Sequence, residues 1–435
     1  MLTTERLYYT DSHLVEFDAR VVEVTRTDDG RAAVALDRTA FYPTGGGQPT
    51  DTGSLGAARV VECVEAEGGV VLHVCEGEPP TEGGRVGGRV DWPRRLDHIQ
   101  QHTGQHILSQ CFVELYGAPT RSFRMLDDAC EVDVELGDPS DEKVERAVER
   151  ANEIIWGDRP VRVHQVTAEE AARMPLRKDS EREGLLRVVE IEGFDFSPCG
   201  GTHARSTGEV GLVAARHWER ARGLVRVTFV AGGRALADYR RANRAARATA
   251  ALFSVARDEA ASAAARLQDE HKQLLRRLRA AEESAARGEA RELYEEAARS
   301  ADVPADGGAR PAGAAAEGDG AAPSHAGARE TRPVVVARVF EGLEAEGLRR
   351  LAAAVAALPR AVALLGSAEG GAARLVFARA ADAAGDMNAL MREACAALGG
   401  RGGGRPDMAQ GGGPRVERLA SALADAAARA RAGGR

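Results

Sequence analysis

The segment "LDHIQQHTGQHILSQ" sets His98, His102 and His106 four residues apart, in a chain with 10 histidines among 435 residues. On a helix, residues four apart lie about 40° from each other, on one face. Two histidines at i and i+4 can therefore aim both imidazoles at one metal ion. Three in a row drift by about 80°, so the outer two converge poorly. The geometry admits one pair, His98–His102 or His102–His106. About a hundred residues on, "SPCGGTHARSTGEVG" sets Cys199 and His203 in a CxxxH spacing after a strand-like run. Gly200 and Gly201 allow the tight turn that would aim both side chains inward. A thiolate with imidazoles is a borderline-soft donor set suited to zinc.

Three imidazoles and a thiolate fill a tetrahedral zinc. A closed site of that kind is normally structural, whereas catalytic zinc keeps a position for water. Hydrolysis there would need a labile donor, a fifth position, or a metal that places substrate while another group orients the water. A peptidase of the HExxH kind is disfavoured, because HTGQH has no glutamate after its first histidine. His73 beside Cys75 reads as an isolated structural pair on a strand. Six cysteines scattered over the chain (63, 75, 111, 130, 199 and 395) make no disulfide framework and fit a reducing cytoplasm.

The donors need elements to carry them. Around Leu96 the apolar period becomes helical, with Ile99, His102, His106, Ile107, Gln110 and Cys111 on one face. A second helix is expected from Pro139, capped by Asp138, with an apolar stripe of Val144, Val148, Ala151 and Ile155. Strand-like runs follow at "PVRVHQV", "LLRVVEIEGF" and "GLVRVTFVAG". Upstream, 19–37 and 58–75 read as strand pairs around "DDG" and "EGG", separated by the glycine-rich loop "TAFYPTGGGQPTDTGSL". The expected class is α+β. Residues 1–90 form a small β-barrel-like domain, and 91–235 a domain of helices packed on an antiparallel sheet. A helical connector spans 236–300, with Leu267, Leu274 and Leu278 as its stripe. A flexible Ala/Gly/Pro linker spans 301–331. A small α/β domain occupies 332–435, containing "GGRGGGRPDMAQGGG".

Such a length suggests two to four domains. Apolar content of 44% and charged content of 29% are ordinary for a globular protein. The N-terminus shows no basic region followed by an apolar run, and no apolar window is long enough for a membrane span. The net charge of −8 conceals an asymmetry. From Arg332 onward, 15 Arg oppose 10 Asp plus Glu, so that segment is +5 and the remainder −13. A basic C-terminal segment on an acidic body can carry a phosphate-binding face.

HTGQH at His102–His106, followed far downstream by CGGTH at Cys199–His203, resembles the editing domain of alanyl-tRNA synthetase. Threonyl-tRNA synthetase has a related domain. "FYPTGGGQPTDTG" is similar to the glycine-rich motif upstream of that domain, and "GGRGGGRPDMAQGGG" resembles the C-terminal, DHH-associated domain. An aminoacylation domain would need several hundred residues before "FYPTGGGQP", where about forty stand. The chain is therefore expected to be a free-standing alanyl-tRNA editing protein of the long AlaX type. ATP binding is a family association only.

The resemblance implies hydrolysis in trans of tRNA(Ala) mischarged with serine, and of the glycyl ester. It implies one Zn2+ per chain held by His102, His106, Cys199 and His203. It implies Thr39 and Gln48 as catalytic residues, Thr39 contacting the serine hydroxyl, and Gly45, Gly46 and Gly47 at the substrate. Arg401, Gly403, Gly404 and Arg405, with Gly402 and Asp407, would meet tRNA phosphate and ribose. The C-terminal or helical segment would mediate homodimerisation. Arg121 and Ser122, in "APTRSFRM", stand where the synthetase domains carry a glutamine bordering the pocket. Asp97, Gln101 and Gln105 neighbour the ligands, the two glutamines as supporting or solvent-facing groups. His98 is then a neighbour at the helix start, packing or facing the pocket.

Overall fold

A computed structural model describes residues 3–177, 185–301 and 332–432. The chain divides into two compact units, Met1–Ala260 and Ala261–Arg435.

The first unit begins with a closed six-stranded barrel. Its strands run in the order Glu16–Arg26, Ala32–Leu36, Val71–Glu76, Ala58–Glu65, Gly53–Leu55 and Arg85–Val90. Alternation builds it: Val86, Gly88 and Val90 face inward while Arg85, Gly87 and Arg89 face out. Val21, Val34, Leu36, Leu55 and Val60 fill the interior with Phe41. The glycine-rich loop leaves the barrel as a tight turn bridged at Gly45 and Gln48.

The helix Trp92–Tyr116 follows the last barrel strand directly. Pro93 suits its first turn, and Gly117 ends it in a left-handed conformation. Ile107, Leu108, Cys111 and Phe112 pack against Val132, Val134, Val227 and Phe229 of a four-stranded antiparallel sheet. The second helix, Asp141–Trp156, closes the same core through Val144, Ala147, Ala151 and Ile155. Each fully buried side chain of this size contributes about 1.5–3 kcal/mol, so the histidine helix is fixed over its C-terminal half.

The α+β class and the barrel stand as read. One detail is corrected: Ser140, not Asp138, caps the second helix, accepting from the Lys143 amide, while Asp138 is itself left-handed at φ 45°. Three strands of the sheet, Thr120–Met125, Cys130–Val134 and Val213–Ala221, were not anticipated. The expected strand runs form Val161–Thr167, Leu185–Ile191 and Leu224–Ala231. Val161–Thr167 and Leu185–Ile191 join Asp195–Pro198 in a three-stranded sheet that ends at the CGGTH turn. A helix at Gly232–Leu252 follows, with Ser254 beyond it at φ 54° and a short helical turn at Arg257–Glu259.

The second unit begins at Ala261, one residue into the helix Ala260–Ala301. All but the first residue of the expected linker, 301–331, lies outside the described residues. A five-stranded sheet follows. Val334–Glu341 pairs parallel with Ala361–Glu369, and Ala372–Arg379, Met408–Gly413 and Arg401–Gly404 continue it antiparallel. The glycine run is thus a hairpin within the sheet rather than a loose loop. A Cβ on Gly402 would lie 2.7 Å from Cys395 Sγ, and one on Gly411 2.5 Å from it. These glycines let the helix Met387–Ala397 lie close on the strands. No helix among the described residues is long and apolar enough to cross a membrane.

Candidate metal centre

Two elements deliver the donors. His102 and His106 project from one face of the helix Trp92–Tyr116. Cys199 and His203 come from the turn after Asp195–Pro198. Their ligand atoms all lie within 4.8 Å of one another. Cys199 Sγ lies 3.4 Å from His102 Nε2 and 3.3 Å from His203 Nε2. Metal–sulfur and metal–nitrogen bonds of about 2.3 and 2.0–2.1 Å at the tetrahedral angle put sulfur and nitrogen about 3.5 Å apart. The cluster therefore has the dimensions of a zinc site.

The far side of each imidazole is tied to an acceptor. His102 Nδ1 donates to Gln48 Oε1 at 2.8 Å, and His106 Nδ1 faces Asp195 Oδ2 at 3.3 Å. His203 Nδ1 lies 3.4 Å from Thr103 Oγ1. Engaging Nδ1 as the donor leaves each Nε2 lone pair for a metal. The acceptors are themselves held. Gln48 Oε1 also accepts from the Thr202 amide at 3.2 Å, and its Nε2 donates to Thr202 Oγ1 at 3.0 Å. Asp195, almost wholly buried, is paired with Arg177 at 2.9 Å and accepts from Ser197.

Cys199 and His203 fit this division, whereas at His106 burial is overcome by Cys199 and Asp195, which raise its pKa. Burial opposes ionisation of the Cys199 thiol, but the three surrounding imidazoles overcome it and hold the thiol well below its usual range. The Gly201 amide adds an N–H aimed at Sγ, at 3.4 Å. Burial pushes His203 down to about 3, so it stays a neutral donor. Burial also opposes the Asp195 carboxylate, but Arg177 and the bond from His106 hold its pKa low.

His98 takes no part. It is almost fully buried and faces Asp51, with Nδ1 3.8 Å from that carboxylate and without a hydrogen-bond partner. The neighbouring Arg95, wholly buried, pairs with Asp51 at 2.5 Å and donates to the carbonyls of Ser12 and Ala40. Ser12 Oγ in turn accepts from the His203 amide at 3.1 Å. This buried ion pair links barrel, helix and ligand turn.

The remaining expected residues divide. Gln48 is at the cluster, but its amide is spent on His102 and Thr202. Gly46 and Gly47 are exposed, and Gly47 is clipped to the strand Thr120–Met125 through the Met125 amide at 2.9 Å. Gly45 lies beside the Tyr42 hydroxyl. No hydrogen bond of Thr39 among the described residues reaches the cluster. His73 Nδ1 donates to the Val34 carbonyl, so its Nε2 accepts, and Thr39 Oγ1 donates to it at 2.7 Å. The same oxygen accepts from the Phe41 amide. Arg121 points to Glu135 and Ser122 to Asp133, whereas Phe123 sets its ring 5.4 Å from His102.

Asp97 pairs with Arg234 at 2.6 Å. Gln101 bonds both polar groups of the Ala231 backbone and Gln105 bonds Ser109, so neither glutamine is solvent-facing. Arg401, Gly403, Gly404 and Arg405 lie in the second unit. There the Gly404 amide donates to Asn388, and Arg405 is exposed and paired with Asp407. Sequence reading missed Asp195, Thr103, Asp51 and Arg95. Asp195 lies four residues before Cys199 in "FDFSPCGG" and Thr103 directly after His102, and these were the available signals.

The chain is similar to known proteins in three parts. The DHHA1 domain model matches residues 331–432. The model described as "Threonyl and Alanyl tRNA synthetase second additional domain" matches 186–228, and "tRNA synthetases class II (A)" matches 3–94. Alanyl-tRNA editing protein AlaX-L of Pyrococcus horikoshii is 38% identical over 240 residues, covering 53% of this chain and 59% of that protein. An alanine–tRNA ligase of Pyrobaculum neutrophilum is 38% identical over 299 residues, covering 63% of this chain and 32% of the ligase. The C-Ala domain of Aquifex aeolicus alanyl-tRNA synthetase, a solved structure, is 30% identical over 21% of this chain and 84% of that one, with a TM-score of 0.20. The chain spans about three fifths of the one relative and a third of the other. The resemblance carried by HTGQH and CGGTH is thereby shown, and with it the likeness to the editing and C-terminal domains of alanyl-tRNA synthetase.

Proposed function

We propose that this chain hydrolyses, in trans, the ester between serine and the terminal ribose of tRNA(Ala), and the glycyl ester likewise. The observation that carries the reading is the cluster of one ionisable thiol and three Nδ1-anchored imidazoles beneath the exposed glycine loop, in a chain 38% identical to an alanyl-tRNA editing protein. In this reading 1–90 and 91–235 form the editing part. Residues 236–300 connect it to 332–435, which binds tRNA and supports dimerisation, and the protein works in the cytoplasm.

Zinc, held by His102, His106, Cys199 and His203, would supply Lewis acidity to the ester or its attacking water. The chain's own groups do the rest. Gln48 and Asp195 fix the ring planes of His102 and His106. Phe123 walls one side with a surface that cannot compete for a proton. The exposed amides of Gly46 and Gly47 are donors for the oxyanion that forms as water adds to the ester carbonyl. A site that hydrogen-bonds the serine hydroxyl rejects alanine, because its own polar groups would be left unpaired.

The test is to incubate the protein with Ser-, Gly- and Ala-tRNA(Ala) and with Ser-tRNA(Ser), with and without a chelator. Ser-tRNA(Ala) should be lost fast and Ala-tRNA(Ala) slowly. His102→Ala should abolish the difference. Decay of all four at the buffer rate would favour the second reading that four protein donors invite, a structural zinc in a non-catalytic tRNA-binding protein.

A further inference from the structure

Arg187 stands outside everything assigned so far. It lies on the strand Leu185–Ile191, directly behind the CGGTH turn. Its Nη1 donates to the Cys199 carbonyl at 2.6 Å, and its Nε to the Tyr9 carbonyl at 3.1 Å. Its own carbonyl accepts from the Cys199 amide at 3.0 Å, so it grips that residue from both sides. The guanidinium lies 5.3 Å from the centre of the Tyr9 ring. Tyr8 is set edge-on to both Tyr9 and Tyr42, which completes an aromatic box.

Among the described residues the box holds no carboxylate. Nη2 is buried with no hydrogen-bond partner, and no ion pair involves Arg187 among the described residues. A buried cation is costly unless an opposite charge answers it. Arg177, by contrast, has Asp195. The two arginines near the cluster therefore serve different donors, one through a carboxylate to His106, the other directly at Cys199.

We propose that Arg187 is a positioning residue for the metal centre, bracing the Cys199 turn through its backbone from both sides and tying it to Tyr9. This rests on the cluster being a metal site, and it concerns metal affinity rather than hydrolysis. A partner of a metal ligand typically carries tenfold to a hundredfold in affinity. Zinc affinity of the full chain, measured by competition with a chromogenic chelator, should fall by about 10–100-fold in Arg187→Met. Arg187→Lys keeps the charge but cannot span two carbonyls, and should recover part of that loss. Arg121→Met, which breaks an exposed pair with Glu135, should leave affinity unchanged.

The zinc-induced rise in thermal midpoint separates positioning from simple structural support. A structural arginine would lower the zinc-free and zinc-bound midpoints equally, and that result would overturn the proposal. So would a folded Arg187→Met within twofold of wild type. If Arg187→Met does not fold, Arg187→Lys decides: wild-type affinity overturns the role, and a loss of several-fold supports it. A wild-type chain that binds no zinc overturns the metal centre itself, and this role with it.

Discussion

Gly200 and Gly201 are adjacent, both in the CGGTH turn, and neither has a positive φ. Alanine is therefore acceptable to the backbone at both, and only the surroundings differ. A Cβ on Gly200 would sit 3.5 Å from the Tyr9 hydroxyl, an ordinary contact. A Cβ on Gly201 would sit 2.5 Å from His102 Nδ1, closer still to Cε1, and 3.1 Å from Gln48 Oε1. Reaching ordinary contact at about 3.4 Å requires the His102 ring to retreat by more than about 0.9 Å, since Cε1 is the closer atom. Metal–ligand distances tolerate only about 0.2 Å. Gly201→Ala should thus cost at least what loss of an orienting partner costs, about 100-fold in zinc affinity. In a thermal or urea assay with metal at about 1,000 times the wild-type Kd, binding stabilises by about 4.1 kcal/mol. A hundredfold weaker site would leave about 1.4 kcal/mol. Gly200→Ala should keep the full amount. Equal zinc affinity for wild type and Gly201→Ala, or equal damage from both substitutions, would refute the account of how the turn and helix meet.

Gln48→Leu removes the acceptor of His102 Nδ1 and of the Thr202 amide, and should weaken zinc binding about 10–100-fold; unchanged chelator competition would mean the tautomer is set elsewhere. Arg95→Met strands the wholly buried Asp51 carboxylate, and should cost about 3–5 kcal/mol in urea unfolding. Adding Asp51→Leu should restore part of it, and a further loss would contradict the pairing. His73, held near a pKa of about 4 by burial, stays neutral in the fold while the unfolded chain protonates at about 6.5. Stability should therefore fall as pH drops from 6.5 towards 4, with no such loss above that window. In metal-free protein, His73→Gln should reduce the loss between pH 7 and 4.5 by roughly 2 kcal/mol; identical slopes would count against it. His98→Ala should retain zinc and His106→Ala should lose it, as read by metal content after gel filtration; the reverse would assign the site to the other pair.

The parts legible in the sequence were those with a period or a turn signal. Barrel strands alternate, the histidine helix repeats at helical spacing, and both glycine turns announce themselves. The missed strands have physical reasons. Cys130–Val134 carries Glu131 and Asp133, which alternate with buried residues only once Arg124 and Arg226 are seen to meet them. Val213–Ala221 is an edge strand with a bulge after Ala215, so its outward residues break the expected pattern. The cap was misassigned because Asp138 and Ser140 are both good N-cap types, and only the backbone tells them apart.

The choice between the two histidine pairs shows why geometry along one helix is not enough. His98 and His106 are equivalent by spacing, each one turn from His102. What separates them is the partner each finds across the fold. His106 meets Asp195, which lies on the strand that leads into Cys199. His98 meets Asp51, whose charge Arg95 already occupies in a site with no exposed surface. A second cation beside that pair is unfavourable, and burial holds His98 near a pKa of about 4. The same helix thus carries one histidine into a dry ion-pair hub and two into a donor cluster. The residues that make the difference, Asp51 and Asp195, lie 47 residues before His98 and 89 residues after His106. No local pattern could have joined them, because the joining is done by the barrel loop and the three-stranded sheet, each brought to the helix only by the tertiary fold.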